Sequence, residues 1–434
     1  MHSHDPDARL LHWWAQRRDR FLSAAIALMI VAAAVWLAYE FWRLLFQAPP
    51  MGAIDLRHRY NAQLGWFRGE LVYTRPTVLD PPATHLLLWP LLVCVDFSAA
   101  RLLWAVLSAA ALAWTSMLTV RWSGAESARE RTLAALLPLS TYPFGATIGN
   151  GQLGVFVLPL LIAAAVRLRS TGVAWGRDLL VAVLLLGALV KPNLSAPFCW
   201  VVLFASRSLR PAWIAGAAYV ALTLVSASFQ PADLPTILLQ SLANASEVGT
   251  KAVPGNVANL HVWLGSLGLE ELAFPASLLV MIALGVWVWR NRDADLWILL
   301  GATGYTALFA TYHRWYDELL LLLPIVALFR IAKSSADPAT AANAGVLLVF
   351  MVASTLAPGG LFLFPPPLNL LYVAGQVLIW ATGLVFLLRH ASAAPRRSAA
   401  RPAATRPCAG GARPRRSATP TPAPARSRQS RSRR

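Results

Sequence analysis

The chain has 434 residues, 57% of them hydrophobic and only 13% charged, with a mean hydropathy of +0.53. Soluble domains carry roughly 25% charged residues, so a soluble globular enzyme, a disordered chain and a disulfide scaffold are excluded. The formal net charge is nevertheless +18, a value that taken alone points to nucleic acid, so the arginines must lie between the apolar segments rather than inside them.

Residues 1–20 are polar and basic, and read as a cytoplasmic N-terminus. The apolar run that follows, Phe21 to Trp42, outlasts a signal-peptide core and ends in no small-residue cleavage site, which makes it a retained first membrane helix. Further runs near the span length of about 20 residues lie at 98–120, 132–148, 152–168, 178–190, 195–206, 211–229, 273–289, 296–311, 317–331, 342–357 and 368–388. The run 83–95 is apolar but short, a re-entrant or tilted segment. Two connections are long, 43–82 and 230–272. In the first, Tyr60, Leu64, Trp66, Phe67 and Leu71 suggest short interfacial helices. Residues 21–390 thus form one transmembrane domain. The last 44 residues, 391–434, hold 12 Arg and no acid, and are expected to be a disordered cytoplasmic tail drawn to anionic lipid. Without that tail the balance is 26 basic against 20 acidic residues, a net of +6, so no nucleic-acid partner is implied. Cys94, Cys199 and Cys408 are too scattered for a disulfide framework or a zinc site.

Short cytoplasmic loops collect Lys and Arg. With the N-terminus inside and about twelve crossings, the inner loops hold Arg121, Arg129, Arg131, Arg167, Arg169, Arg177, Arg207, Arg210, Arg290, Arg292, Arg330 and Lys333, and the short outer turns hold Lys191 and Arg314. The expected architecture is an all-α polytopic integral membrane protein, N-in and C-in, with a long first outer loop. In this topology one face gathers most of the polar motifs: Asp55, Asp80-Pro81-Pro82, Asn150-Gly151-Gln152, Lys191-Pro192-Asn193, Asn259 with His261 and Trp263, and Tyr312 to Glu318.

Each motif has a plain and a functional reading. Lys191 either snorkels to the interface or meets an anion, and Pro192 after it must break the helix. Asp55 is either a solvated loop acid or a general base for an acceptor hydroxyl. His261 and His313 serve either as structural hydrogen-bonders or in catalysis, and His313 has Arg314, Asp317 and Glu318 beside it. Asn150-Gly151-Gln152 is either a tight turn or part of a site. No HExxH or GxxxxGK[ST] occurs, and neither a metal nor a nucleotide cofactor is expected.

The order of these motifs resembles glycosyltransferase family 87 of the GT-C superfamily, over about residues 20–390. An acid follows the first span, a Pro-Pro precedes the next apolar run, a Gly-Gln opens a later span, a Lys-Pro ends another, and an aromatic/His motif precedes a late one. The resemblance implies that Asp55 is the catalytic base. Asp80-Pro81-Pro82 matches the family's Tyr-Pro-Pro, with Asp in place of Tyr. Gly151-Gln152 and Lys191-Pro192 match its Gly-Gln and Lys-Pro, and His313 falls near its late motif. Leu56 stands where an aromatic usually follows the acid, and only Tyr60 remains of the later tyrosines.

The implied activity is transfer of a sugar, mannose first, from a polyprenyl-phosphate donor to a lipid or glycan acceptor, with inversion, at the outer face of a bacterial inner membrane. Arg57, Arg59, Lys191, His313 and Arg314 would serve the leaving phosphate. Tyr60, Asp80, Asn150, Gln152, Asn193, Asn259 and His261 would complete the donor and substrate contacts. The competing expectations are a transporter or lipid flippase, which favours paired repeats and mid-span charges, and a non-catalytic membrane scaffold.

Overall fold

A computed structural model describes residues 6–48, 51–169, 174–206, 208–250, 259–356, 365 and 367–393. The expectations for the basic tail beyond residue 393 and for residues 251–258 of the second long connection fall outside these residues. The regular structure of the described residues is all helical, with no strand among them. The helices are α1 (Pro6–Leu45), α2 (Ile54–Phe67), α3 (Pro82–Leu92), α4 (Phe97–Trp122), α5 (Ala128–Ser140), α6 (Tyr142–Asn150), α7 (Gly154–Arg169), α8 (Trp175–Ala188) and α9 (Pro192–Ser195). They continue with α10 (Cys199–Phe204), α11 (Arg210–Ala227), α12 (Leu234–Thr250), α13 (Leu260–Ser266), α14 (Ala273–Arg290), α15 (Leu296–Ala310), α16 (Leu322–Ser334), α17 (Pro338–Leu356) and α18 (Leu368–Ala393).

Among the described residues, five stretches are long and apolar enough to cross a membrane: Leu22–Leu45, Phe97–Trp122, Glu270–Arg290, Pro338–Leu356 and Leu368–Ser392. A sixth would join Trp175–Ala188 to Pro192–Phe204 across a bend of 120°. The twelve crossings expected from hydropathy are not confirmed, and the reason is local. The run 132–148 is cut at Thr141, which is extended (φ −84, ψ 141), and Pro143 sits in the first turn of α6. The run around 190 is cut at Lys191 (φ −132, ψ 79), because the residue before a proline is forced out of the helical region. Helix α3, of 11 residues, is about 16 Å long, short of a hydrocarbon core of about 30 Å.

The polar start of the chain is not a separate segment, since α1 runs 40 residues from Pro6 without a break. Leu28, Val31, Val35, Tyr39, Trp42 and Phe46 are exposed at intervals of three and four, while Met29, Ala33, Glu40 and Leu44 are buried. The buried side packs on α5 and α6. An apolar stripe of that length left bare fits lipid rather than water as its neighbour. Helices α6, α7, α15 and α16 are the most enclosed, and the core sits around them.

The described parts of both long connections are folded. Helix α2 occupies the first and is packed into the body, with Leu56, Arg59, Ala62, Gln63, Gly65 and Trp66 buried, so it is not a helix lying on the surface. Trp66 donates from Nε1 to the Ser226 carbonyl (3.1 Å) and stacks on His85 at 4.1 Å. The second connection is largely helical, as α12 and α13. Asn244 of α12 donates to the carbonyls of Tyr73 (2.9 Å), Arg75 and Val78 (both 3.2 Å), which ties the two connections together.

Candidate active site

Three helix breaks meet at one place. They are the α6–α7 turn at Gly151-Gln152, the α8–α9 break at Lys191-Pro192, and the non-helical stretch after α15, Thr311 to Arg314, that leads into a 3-10 turn at Trp315–Leu321. Irregular backbone at membrane depth is tolerated where it is enclosed by protein or lines a polar cavity, and here polar side chains join the breaks. Gln152 donates to the Tyr316 hydroxyl (3.0 Å) and accepts from Lys191 Nζ (3.3 Å). Lys191 pairs with Asp317 at 2.5 Å and lies 5.3 Å from the Tyr316 ring centre. Asn193 donates to the Tyr312 carbonyl (3.0 Å), and Thr147 donates to the Tyr316 carbonyl (2.8 Å). Asn259 caps α13 through the Val262 amide (3.0 Å) and donates to the His313 carbonyl (3.3 Å).

Helix α2 crosses this meeting point. At about 100° per residue, Asp55, Arg59 and Trp66 fall within about 40° on one face. Arg59 pairs with Asp80 (Nε to Oδ2 2.7 Å, Nη2 to Oδ1 3.4 Å) and reaches the Gly151 carbonyl at 3.4 Å. Burial pushes the Asp80 carboxyl up, but the charge and hydrogen bonds of Arg59 outweigh it and hold the acid below the usual carboxylate range. Tyr73 donates its hydroxyl to the Asp80 carbonyl (2.6 Å). The contact of α2 with the α6–α7 turn depends on glycine. Gly151 has φ +71, and a Cβ there would run into the Leu56 side chain. Only a residue without a side chain combines that backbone with so close an approach.

Asp55 lies in the first turn of α2, half-buried, and makes no hydrogen bond or ion pair among the described residues. Its charge is felt at Arg59, Tyr312, Arg314 and Tyr316. The backbone just before it is strained. Ala53 is fully buried with φ +50, and it is the one non-glycine residue at positive φ among the described residues. Such a conformation costs of order 1–3 kcal/mol and persists where the surroundings impose it. Asp55 is therefore an available carboxylate fixed at the mouth of a charged cluster.

The other expected residues divide. Arg314 is exposed, donates from Nε to the Tyr312 hydroxyl (2.6 Å), and has no acidic side chain bound to its guanidinium among the described residues. Asp317 instead accepts from its backbone N–H (3.3 Å). Lys191 and Arg59 are neutralised by Asp317 and Asp80, so neither is a free cation. Arg57 and Tyr60 lie about 160° and 140° around α2 from Asp55 and face the start of α4. Arg57 is 5.3 Å from the Phe97 ring centre, and Tyr60 donates to the Val95 carbonyl (3.0 Å). His261 pairs with Ser277 (2.9 Å), between α13 and α14.

His313 is fully buried, with Nδ1 3.4 Å from the Thr311 carbonyl and Nε2 without a partner. Burial pushes its pKa from 6.5 down to about 4 against the pull of Asp317, so at neutral pH it is an imidazole and not a cation for a phosphate. An unfolded histidine takes its proton near pH 6.5 and this one only near 4. The folded state therefore loses stability as pH falls through that window, on the order of 3 kcal/mol. Melting temperature measured from pH 7 to 4.5 should drop less steeply in His313→Asn than in the wild type; equal slopes would remove this residue as a cause.

Several residues here escaped the sequence analysis. Glu40 is fully buried within the first span and pairs with Arg43 at 2.8 Å, and Arg43 holds the Asn150 side chain at 3.0 Å. An acid and a base three apart inside an apolar run was a legible signal. Gln63, one turn beyond Arg59 on α2, and His85 are fully buried with both side-chain polar atoms unpartnered. No three His, Cys, Asp or Glu side chains converge as metal ligands among the described residues.

Compared with known proteins, the chain matches the profile of glycosyltransferase family 87 over residues 79–313. No curated protein and no solved structure matches it. The matched stretch takes in Asp80, Gln152, Lys191, Asn193, Asn259 and His261 and ends on His313, while Asp55 and Arg314 lie outside it. With more than half of the chain matched and several membrane-length apolar helices, this is a multi-pass membrane glycosyltransferase of family 87, a GT-C-type family.

Proposed function

We propose that the protein transfers a sugar, mannose as the first choice, from a polyprenyl-phosphate donor to a hydroxyl of a lipid or glycan acceptor, at the outer face of a bacterial inner membrane. The observation that carries this reading is the Asp55 carboxylate, unpartnered among the described residues and within electrostatic reach of Arg314, whose guanidinium also lacks an acidic partner among them. Displacement at an anomeric carbon needs a base on the attacking side and a cation on the leaving side. In the step proposed, the acceptor oxygen bonds to the anomeric carbon and its proton passes to Asp55. The bond from that carbon to the phosphate oxygen breaks, and the electron pair leaves with the polyprenyl phosphate, whose charge Arg314 meets. A single direct displacement inverts the anomeric configuration. The Lys191–Asp317–Gln152–Tyr316 network and the Arg59–Asp80 pair are positioning groups, holding the breaks in register around α2. The outer-face assignment is supported by the arginines that surround the opposite loops.

The leaving-group role is testable apart from the base. Arg314→Gln keeps a polar side chain and removes the charge. It is expected to lower kcat by about 10²-fold or more, the usual cost of losing one donor to developing negative charge. Steady-state kinetics on a purified, reconstituted protein checks this, and a kcat within threefold of wild type would exclude Arg314 from that role.

A further inference from the structure

On the face of α2 turned away from Asp55, two arginines share one aromatic ring. The Arg57 and Arg101 guanidinium carbons lie 5.3 and 5.8 Å from the Phe97 ring centre. Both side chains are half-buried, and neither has an acidic partner among the described residues. The charge that acts on Arg101 is the like charge of Arg57. Their hydrogen bonds go to backbone carbonyls. Arg57 donates to Gly52 (3.2 Å), and Arg101 donates to Leu44 (2.5 Å), Gln47 (3.1 Å) and Arg43 (3.3 Å). Two adjacent guanidiniums with no counter-charge leave a repulsion that an anion would relieve. Arginine forks match the oxygens of a phosphate. The surroundings are apolar and open. Phe46 is 72% exposed, Met51 57% and Leu102 59%, each adjacent in sequence to one of these contacts. Two charges flanked in sequence by exposed apolar side chains at the end of the first span suit an amphiphile.

We infer that Arg57 and Arg101, on the Phe97 ring, bind the phosphate head group of an anionic lipid. The ligand class is a phosphate ester carrying hydrocarbon chains, whose tails would run along Phe46, Met51 and Leu102. The clamp lies where α1 ends and α2 and α4 begin, on the Leu44, Gln47 and Gly52 carbonyls. The same phosphate chemistry belongs both to bilayer phospholipids and to a polyprenyl phosphate. The inference does not rest on the proposed transfer reaction, because it is read out by lipid binding alone.

The test is native mass spectrometry of the full chain released from nanodiscs of equal phosphatidylglycerol and phosphatidylcholine with matched chains. The wild type is expected to retain phosphatidylglycerol over phosphatidylcholine about tenfold, Arg57→Gln about twofold or less, and Arg57→Lys an intermediate amount. Arg57 makes a single backbone hydrogen bond, so its replacement is less disruptive than that of Arg101, and a melting curve of each variant checks folding. Added polyprenyl monophosphate separates the sources: displacement of phosphatidylglycerol from wild type assigns the clamp to a carrier phosphate, and no displacement assigns it to bilayer lipid. Equal phosphatidylglycerol retention by wild type and a folded Arg57→Gln would overturn the inference.

Discussion

Asp55→Asn is expected to lower transfer by about 10³-fold, within the 10²–10⁴ that a positioned general base contributes, which corresponds to about 4 kcal/mol of barrier. The substitution keeps the size and polarity of the side chain and removes its ability to accept the acceptor's proton. Asp55 has no hydrogen bond or ion pair to lose among the described residues, so the folded structure and the melting temperature should stay near wild type. Donor binding should also survive, because the phosphate is assigned to Arg314. A loss of rate with folding and donor affinity intact separates chemistry from structure. Activity within tenfold of wild type would remove Asp55 as the base.

The largest effect on stability is expected from Arg59→Ala. The Arg59–Asp80 pair is buried, with side-chain exposures of 8% and 16%, and Arg59 also reaches the Gly151 carbonyl. Removing one partner of a buried ion pair leaves an uncompensated charge and costs roughly 3–5 kcal/mol. The remaining Asp80 carboxylate would then lose the guanidinium that holds its pKa down. It should titrate upward, so that low pH rescues part of the loss. Replacing both residues by apolar ones of similar volume, Arg59→Met with Asp80→Leu, is expected to recover much of the stability while activity stays low, because α2 loses its tie to the α6–α7 turn. Thermal unfolding in detergent at pH 5 and pH 8 checks both variants against the wild type. An Arg59→Ala protein as stable as wild type would show that the pair does not hold α2.

The all-α membrane class was legible because apolar runs and helix-breaking residues are properties of adjacent positions. So were the places where the site would form. Pro192 after Lys191, Gly151 after Asn150 and the polar run from Tyr312 to Asp317 each interrupt an apolar stretch, and these three interruptions meet in space. The number of crossings was not legible. Hydropathy counts apolar residues and does not see that Thr141 cuts the run 132–148 into helices of 13 and 9 residues. The pairing of charges was not legible either. Lys191 meets Asp317 across 126 positions and Arg59 meets Asp80 across 21, and each partner turns an expected phosphate-binding cation into a neutralised one. Arg57 and Tyr60 were misplaced for a simpler reason, since the periodicity of α2 puts them opposite Asp55 once its helical bounds are known.

The proposed function stands on the donor and on the stereochemistry of a single step at Asp55. It is tested most directly by supplying the purified protein in liposomes with polyprenyl-phosphate sugar labelled in the sugar, in parallel with the corresponding nucleotide sugar, and determining by NMR the anomeric configuration of the product. The prediction is that label moves from the polyprenyl-phosphate donor alone and that the product's configuration is inverted relative to that donor. Label taken only from the nucleotide sugar, or a product of retained configuration, would contradict it.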